Sequence, residues 1–124
     1  MFEARLGDLL LTDMPRKKAW DDAVKFAESF DPEHELLDRV GIVIGIGQVY
    51  GRVAVDGNHR LGALAKRYGL DQVVRYSSLS NVKPAEVDVR AQIEIDSGIT
   101  GVAVFLAMCS AGEFIGDLTG CEAL

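Results

Sequence analysis

The sequence predicts an α+β fold, in which one domain of 124 residues combines a small mixed β-sheet with two or three helices. The fully apolar stretch Ile42–Ile44 is typical of a central, buried strand. A run of apolar residues at helical spacing predicts an amphipathic helix upstream. Its members are Trp20, Ala23, Val24, Ala27 and Phe30. The segment Val53–Gly69 then indicates a strand, a tight turn and a second helix.

Composition and charge indicate a globular domain and argue against a protein that binds duplex DNA tightly. Hydrophobic residues make up 48% and charged residues 26% of the chain, as in an ordinary globular domain. The net charge of −6 argues against tight binding to duplex DNA, which requires clustered Lys and Arg. The N-terminus mixes acidic and basic residues and has no long apolar core, so we expect a cytoplasmic protein without a signal peptide. The apolar run Ile99–Met108 is too short to span a bilayer.

The remaining elements follow from local signals. Thr12 or Asp13 can cap the first helix, with Pro15 at its first position. A second, short helix is expected to open at Asp31-Pro32-Glu33-His34-Glu35. The predicted strands are Ile42–Ile46, Gln48–Val55, Gln72–Tyr76, Val87–Asp96 and Ile99–Met108.

The last two predicted strands form a hairpin in this interpretation. Apolar and polar residues alternate strictly along Val87–Asp96, which is typical of a half-buried strand. Ser97-Gly98 can turn the chain back into Ile99–Met108. Ala and Leu in that second run leave a buried helix open as an alternative.

The turn between Val55 and the second helix points to anion binding. Gly57 permits close backbone approach, and the helix start presents free amides with a partial positive charge. Arg60 can hold two phosphate oxygens through its fork, and His59 can donate to a third or take part in proton transfer. Asp56 could hold a magnesium ion beside a phosphate, and Asn58 completes the first turn. Asp-Gly is equally a common hairpin signal, and Arg60 could be an ordinary surface cation.

The motif Val-Asp-Gly-Asn-His-Arg, followed by an Ala/Leu-rich helix that ends in Tyr-Gly, resembles the signature of the ParB/sulfiredoxin-like superfamily. Upstream residues occur in the order seen in ParB N-terminal domains. These are Ala27-Glu28-Ser29-Phe30, Glu35-Leu36-Leu37, Ile42-Val43-Ile44 and Tyr50 to Val55. The resemblance covers about residues 6–76 of a single domain spanning 1–124, with 77–124 expected to form a β-hairpin extension and a tail.

The resemblance implies a nucleotide-phosphate site at the turn, with a nucleoside di- or triphosphate and magnesium as the ligand. Gly57 and Arg60 match the Gly-x-x-Arg core of the family, and His59 matches the sulfiredoxin-type His. Asn58 stands where sulfiredoxins place a nucleophilic Cys, so sulfinic-acid repair is not implied. In free-serine-kinase relatives an upstream Glu acts as base, which makes Glu35 and His59 the candidate catalytic residues.

Other reactive side chains have simpler interpretations. Acids around His34 could hold a metal or supply a base, but acidic residues are also routine in the first turn of a helix. Cys109 and Cys121 lack the spacing of a zinc site and are expected to be buried free thiols.

Two hypotheses about function follow. One is a nucleotide-binding domain, with phosphotransferase or nucleotide hydrolase activity. The other is a non-catalytic acidic protein that binds a protein partner, such as an inhibitor or an accessory protein of a mobile element.

Overall fold

The computed structural model describes residues 1–114, and its elements confirm the α+β class. Within that range the strands are β1 (Phe2–Arg5), β2 (Leu10–Leu11), β3 (Val43–Ile46), β4 (Arg52–Asp56) and β5 (Val73–Tyr76). The helices are α1 (Lys17–Ser29), α2 (Asn58–Tyr68), α3 (Pro84–Asp96) and α4 (Val102–Ser110). Two 3₁₀ turns lie at Leu6–Asp8 and Leu37–Arg39.

The strands form two small sheets. In the three-stranded sheet, β4 lies in the centre, parallel to β2 and antiparallel to β3. The second sheet has two strands, because β1 pairs antiparallel with β5. The three-stranded sheet is therefore mixed, as predicted, whereas β5, which was expected in the same sheet, pairs with β1 instead. Strand β4 leads directly into α2.

Successive residues of β4 point to opposite faces of the sheet, as strand geometry requires. Ala54 belongs to the main core, which also contains buried residues of α1, α2 and α4. Val53 belongs to a smaller cluster with Val87 and Ala91 of α3. The three-stranded sheet thus separates α3 from the other helices.

Helix α2 is the most enclosed helix. Every residue from Asn58 to Ala65 is buried except Arg60. Gly62 allows α4 to approach, since a Cβ at this position would lie 2.9 Å from Cδ1 of Phe105. Burial on nearly all sides leaves Arg60 as the side chain that the first turn of α2 presents to solvent.

The predicted strand Val87–Asp96 is wrong, because this segment lies within helix α3. Positions 87, 91 and 95 satisfy both a period of two and the i, i+4, i+8 spacing of a helix, so alternation alone was ambiguous. Pro84 occupies the start of the helix, where its missing amide costs nothing. Val89 and Ile93, expected on the buried face of a strand, are instead 59% and 57% exposed.

The predicted strand Ile99–Met108 is also wrong, and with it the β-hairpin extension over 77–124. Residues from Val102 to Ser110 form α4, the buried helix that the composition left open. Val102, Phe105 and Cys109 recur at helical spacing and are buried. The described residues therefore contain four helices rather than two or three.

Two further boundaries differ from expectation. The predicted strand Gln48–Val55 begins only at Arg52, because the amides of residues 48–50 donate to the carboxylate of Asp88 and form a loop. Burial tends to raise the pKa of Asp88, but these amides outweigh it and the pKa is lowered. The short helix expected at 31–35 is a hydrogen-bonded turn.

Among residues 1–114, no helix has the length and apolar character needed to cross a membrane. Cys109 is a buried free thiol, as predicted, and burial raises its pKa to about 12. Cys121 and the predicted tail beyond residue 114 lie outside the described residues.

Candidate functional site

The strand-turn-helix predicted around Asp56-Gly57 is present, and its geometry depends on Gly57. This residue caps α2 with φ of 78°, the left-handed region that favours glycine. Its carbonyl accepts from the Leu61 amide at 3.0 Å, and its amide donates to the Asp56 carboxylate at 2.8 Å. A Cβ here would lie 2.6 Å from the carbonyl oxygen of Gly41, so the absence of a side chain lets the residues just before β3 approach the turn.

A cavity of about 440 Å³ opens in front of this turn. Residues 56–60 form one wall, and the segment before α1 together with the first turns of α1 forms the other. Its charged lining consists of Asp13, Arg16, Asp22, Asp56 and Arg60. A volume of this size is within the usual range for sites that bind small molecules.

Asn58 is buried and links the two walls. Its side-chain oxygen accepts from the Thr12 amide at 2.8 Å, and its Nδ2 lies 3.3 Å from the Thr12 hydroxyl. That hydroxyl donates to the carbonyl of Ala54 at 2.9 Å. Thr12 therefore binds β4 and α2 instead of capping α1, and Asn58, which also lines the cavity, holds the two walls together.

His59 makes the second link between the walls. Its Nε2 accepts from the Arg16 amide at 2.9 Å, and its ring makes a T-shaped contact with the Phe105 ring, with centroids 5.0 Å apart. Because the amide is a donor, Nε2 must carry a lone pair, and the proton of the neutral ring is on Nδ1. Nδ1 lies 3.9 Å from Oδ2 of Asp13, beyond hydrogen-bond distance.

Arg60 is exposed at the rim of the cavity. One guanidinium nitrogen donates to the carbonyl of Val40, and the guanidinium group lies 4.8 Å from the centroid of the Phe26 ring. These two contacts fix the plane of the fork. Since a guanidinium has five N–H donors, most of them stay available to an oxyanion.

Glu35, the other predicted catalytic residue, does not line this cavity. Its carboxylate accepts from the Asp31 amide at 3.0 Å, which closes the turn before the 3₁₀ segment. In the same turn, His34 lies 2.6 Å from the Asp31 carboxylate, which lowers the pKa of Asp31 and raises that of His34. The structure thus groups Asp56, Gly57, Asn58, His59 and Arg60, and leaves Glu35 with the acidic turn.

A buried acid interacts with Asp13, one of the residues that line the cavity. Glu94 of α3 is 5% exposed, and its pKa is raised by burial and further by the charge of Asp13. Asp13 itself accepts from the Met14 amide at 2.8 Å through its other oxygen. The carboxyl groups of Asp13 and Glu94, which come from distant parts of the chain, therefore interact electrostatically at this side of the cavity.

The wall formed by Asp13, Arg16 and Asp22 was not predicted as part of the site. These residues lie more than 30 positions upstream of the turn, and only tertiary packing of α1 on α2 brings them there. In the structure Arg16 is the N-cap of α1. A local signal did exist, because Thr12, Asp13 and Pro15 marked this segment as the start of a helix.

Within residues 1–114, no three His, Cys, Asp or Glu side chains are arranged to hold a metal ion. Comparison of the chain with protein-family models, curated proteins and solved structures finds no match. The geometry of the cavity is therefore the basis for assigning a function.

Proposed function

We propose that the cavity binds the phosphate groups of a nucleotide, as the resemblance to the ParB/sulfiredoxin-like superfamily implies. The observation that carries this proposal is the convergence, in one cavity of about 440 Å³, of the α2 amino terminus with Arg16 and Arg60. First-turn amides have no acceptor within their own helix, and the helix dipole favours a negative charge at this end. Two guanidinium groups add the planar, bidentate donors that suit phosphate.

The carboxylates in the cavity shape the expected ligand. Asp13, Asp22 and Asp56 would repel a bare phosphate, and together they outnumber the two arginines. A magnesium ion carried by a di- or triphosphate would reduce this repulsion, and Asp56 at the turn is the candidate to meet it. Ribose hydroxyls would offer donors to the other carboxylates, which favours a nucleotide over inorganic phosphate.

Catalysis would also require proton transfer, and the side chains of the cavity offer only part of what that needs. His59 is the candidate for proton transfer in the cavity, and its Nε2 is already bonded to the Arg16 amide. Phosphotransferase or hydrolase activity thus stays a prediction, and binding is the function that the contacts support best.

The test is a thermal-shift screen with ATP, ADP, CTP and GTP, each with magnesium. A ligand at about 100 times its Kd stabilises by about 2.7 kcal/mol, which for a domain of this size raises Tm on the order of 10 °C. Tripolyphosphate with magnesium separates phosphate recognition from base recognition. If no nucleotide raises Tm at millimolar concentration, the proposal is wrong.

One observation favours the second candidate, a protein that binds another protein. Val89 and Ile93 lie one turn apart on the outer face of α3, and both are exposed. Val49, which is 77% exposed, donates its amide to Asp88, the residue that precedes Val89 in α3. Exposed apolar groups of this kind mark interaction surfaces when they are contiguous. If the nucleotide screen fails, this interpretation becomes the leading one.

A further inference from the structure

Helix α3 has one face on the three-stranded sheet and the other face in solvent. Val87 and Ala91 are buried in the smaller hydrophobic cluster, which they share with the sheet. Val89 and Ile93 belong to neither hydrophobic cluster of the described residues, and both are more than half exposed. Ala85, one turn before Val89, is exposed as well. Because residues four apart lie on the same side of a helix, Ala85, Val89 and Ile93 form one apolar stripe along α3.

Charged side chains accompany the apolar stripe on one flank. Glu86 and Arg90 are one turn apart, and Nη2 of Arg90 lies 3.6 Å from Oε2 of Glu86. Their side chains are 56% and 41% exposed, so the surface carries an acid followed one turn later by a base. On the opposite flank, Asp88 accepts from the amide of Val49, which brings the loop between β3 and β4 against α3. The stripe is thus bordered by an ion pair on one side and by this loop on the other.

The apolar stripe is complementary to a second copy of itself that runs in the opposite direction. A two-fold axis at Val89 would place the small Ala85 of each copy opposite the larger Ile93 of the other. Rotation about an axis perpendicular to the helix also brings the charged flanks of the two copies together. Glu86 of one copy then faces Arg90 of the other, and the symmetry produces this contact twice. Sizes and charges therefore match in pairs across the axis.

We propose that the chain forms a homodimer through the apolar stripe, with the two α3 helices antiparallel across a two-fold axis near Val89. The occupant of this surface is a second copy rather than a different protein, because both the side-chain sizes and the charges are self-complementary. The opposed helix dipoles also favour the antiparallel arrangement. The dimer is independent of the proposed phosphate site, whose helical residues belong to α1 and α2.

The expected dimer is weak. Helix α3 has 13 residues, which span roughly 20 Å at about 1.5 Å per residue. Two helices of this length with their adjoining loops bury an area at the low end of specific interfaces, about 1,200 Å² or less. The net charge of −6 on each copy adds repulsion. We therefore expect a dissociation constant on the order of 100 µM.

Sedimentation equilibrium of the parent protein, from micromolar to millimolar concentration, measures this association. The mass should rise from 13.4 kDa toward twice that value. Ile93→Asp should weaken association by about tenfold or more, because each dimer would bury two carboxylates. Val73→Asp is the matched control, since Val73 is 41% exposed but lies in the other sheet, where the new carboxylate would pair with Arg5 across the strands. This control should change association by no more than about twofold.

Glu86→Arg and Arg90→Glu test the direction of the two helices. Each variant alone places like charges at both contacts across the axis, so it should associate about tenfold more weakly than the parent. Mixed in equal amounts, the two variants regain both ion pairs between the copies. The mixture should therefore form a heterodimer with about the affinity of the parent.

A mass that stays at 13.4 kDa at millimolar concentration would overturn the dimer and leave the apolar stripe to a different protein. Equal association of Ile93→Asp and Val73→Asp would also overturn it, because the contact would then lie elsewhere on the molecule. If the mixture of Glu86→Arg and Arg90→Glu associates no better than either variant alone, the antiparallel arrangement is wrong.

Discussion

Replacing Gly57 by alanine is the most direct test of the turn that builds the site. The new Cβ would lie 2.6 Å from the carbonyl oxygen of Gly41 and 2.7 Å from Cα of Ile42, both backbone atoms that cannot rotate away. Holding a non-glycine residue in the left-handed region costs roughly 1–2 kcal/mol, and forcing a methyl group into a packed site adds about 1–3 kcal/mol. We expect Gly57→Ala to lower the free energy of unfolding by about 2–5 kcal/mol.

Gly51→Ala provides a matched control. Gly51 has φ of 71°, close to that of Gly57, but a Cβ there meets no atom within 4 Å. This variant should lose only the backbone component, roughly 1–2 kcal/mol. Urea denaturation followed by Trp20 fluorescence gives both values, provided that the m-value is unchanged. If the two variants lose the same stability, the close approach of Gly41 and Ile42 to the turn does not constrain position 57, and the reasoning fails.

Three further predictions concern single side chains. Arg60→Ala should cost about 1–2 kcal/mol of stability, because the hydrogen bond to Val40 and the cation–π contact with Phe26 are lost. The same variant should weaken nucleotide binding tenfold or more, and Arg60→Lys should recover part of that affinity. Unchanged affinity of Arg60→Ala in a titration would remove Arg60 from the site. The folded chain holds the Glu94 proton more tightly than the unfolded chain does, so stability falls as pH rises from the ordinary value of 4.5 through the raised pKa. Glu94→Gln should therefore melt above the parent at neutral pH, with the gap closing below pH 4.5, and a constant gap across pH would contradict this. With a pKa of about 12 instead of 9.0, Cys109 has about a thousandfold less thiolate near neutral pH, so in a Cys121→Ser variant alkylation should be slow until the protein unfolds.

The parts of the fold that the sequence predicts well are those with one dominant local signal. Residues adjacent in the chain determine both the positive φ of Gly57 and the helix that follows it and ends before Gly69. The helix containing Trp20, Ala23 and Ala27 is likewise predicted correctly, because its apolar residues fit no other period. For such segments, local preference and tertiary burial agree.

Prediction from sequence fails where local preference and tertiary burial disagree, or where the residues in contact lie far apart in the chain. In α3 the apolar side chains outnumber the buried positions, so Val89 and Ile93 complete a strand-like alternation although they face solvent. Asp13 and Glu94, whose carboxyl groups interact electrostatically, lie 81 positions apart in the chain, so no spacing rule could relate them. The motif thus predicts one wall of the candidate site, and only packing of the helices supplies the other.

The short parallel contact between β2 and β4 has a consequence for the kinetics of folding. Leu10 and Leu11 pair with Val53 and Ala54 across 43 positions, so a long loop must close before this ladder forms. Contacts of such high sequence separation slow the folding of small domains. Residues 12–16 follow directly after β2, so they reach their places against α2 only once this ladder has closed. Amide exchange at Thr12 and Arg16 should therefore report the opening of the whole sheet rather than local fraying.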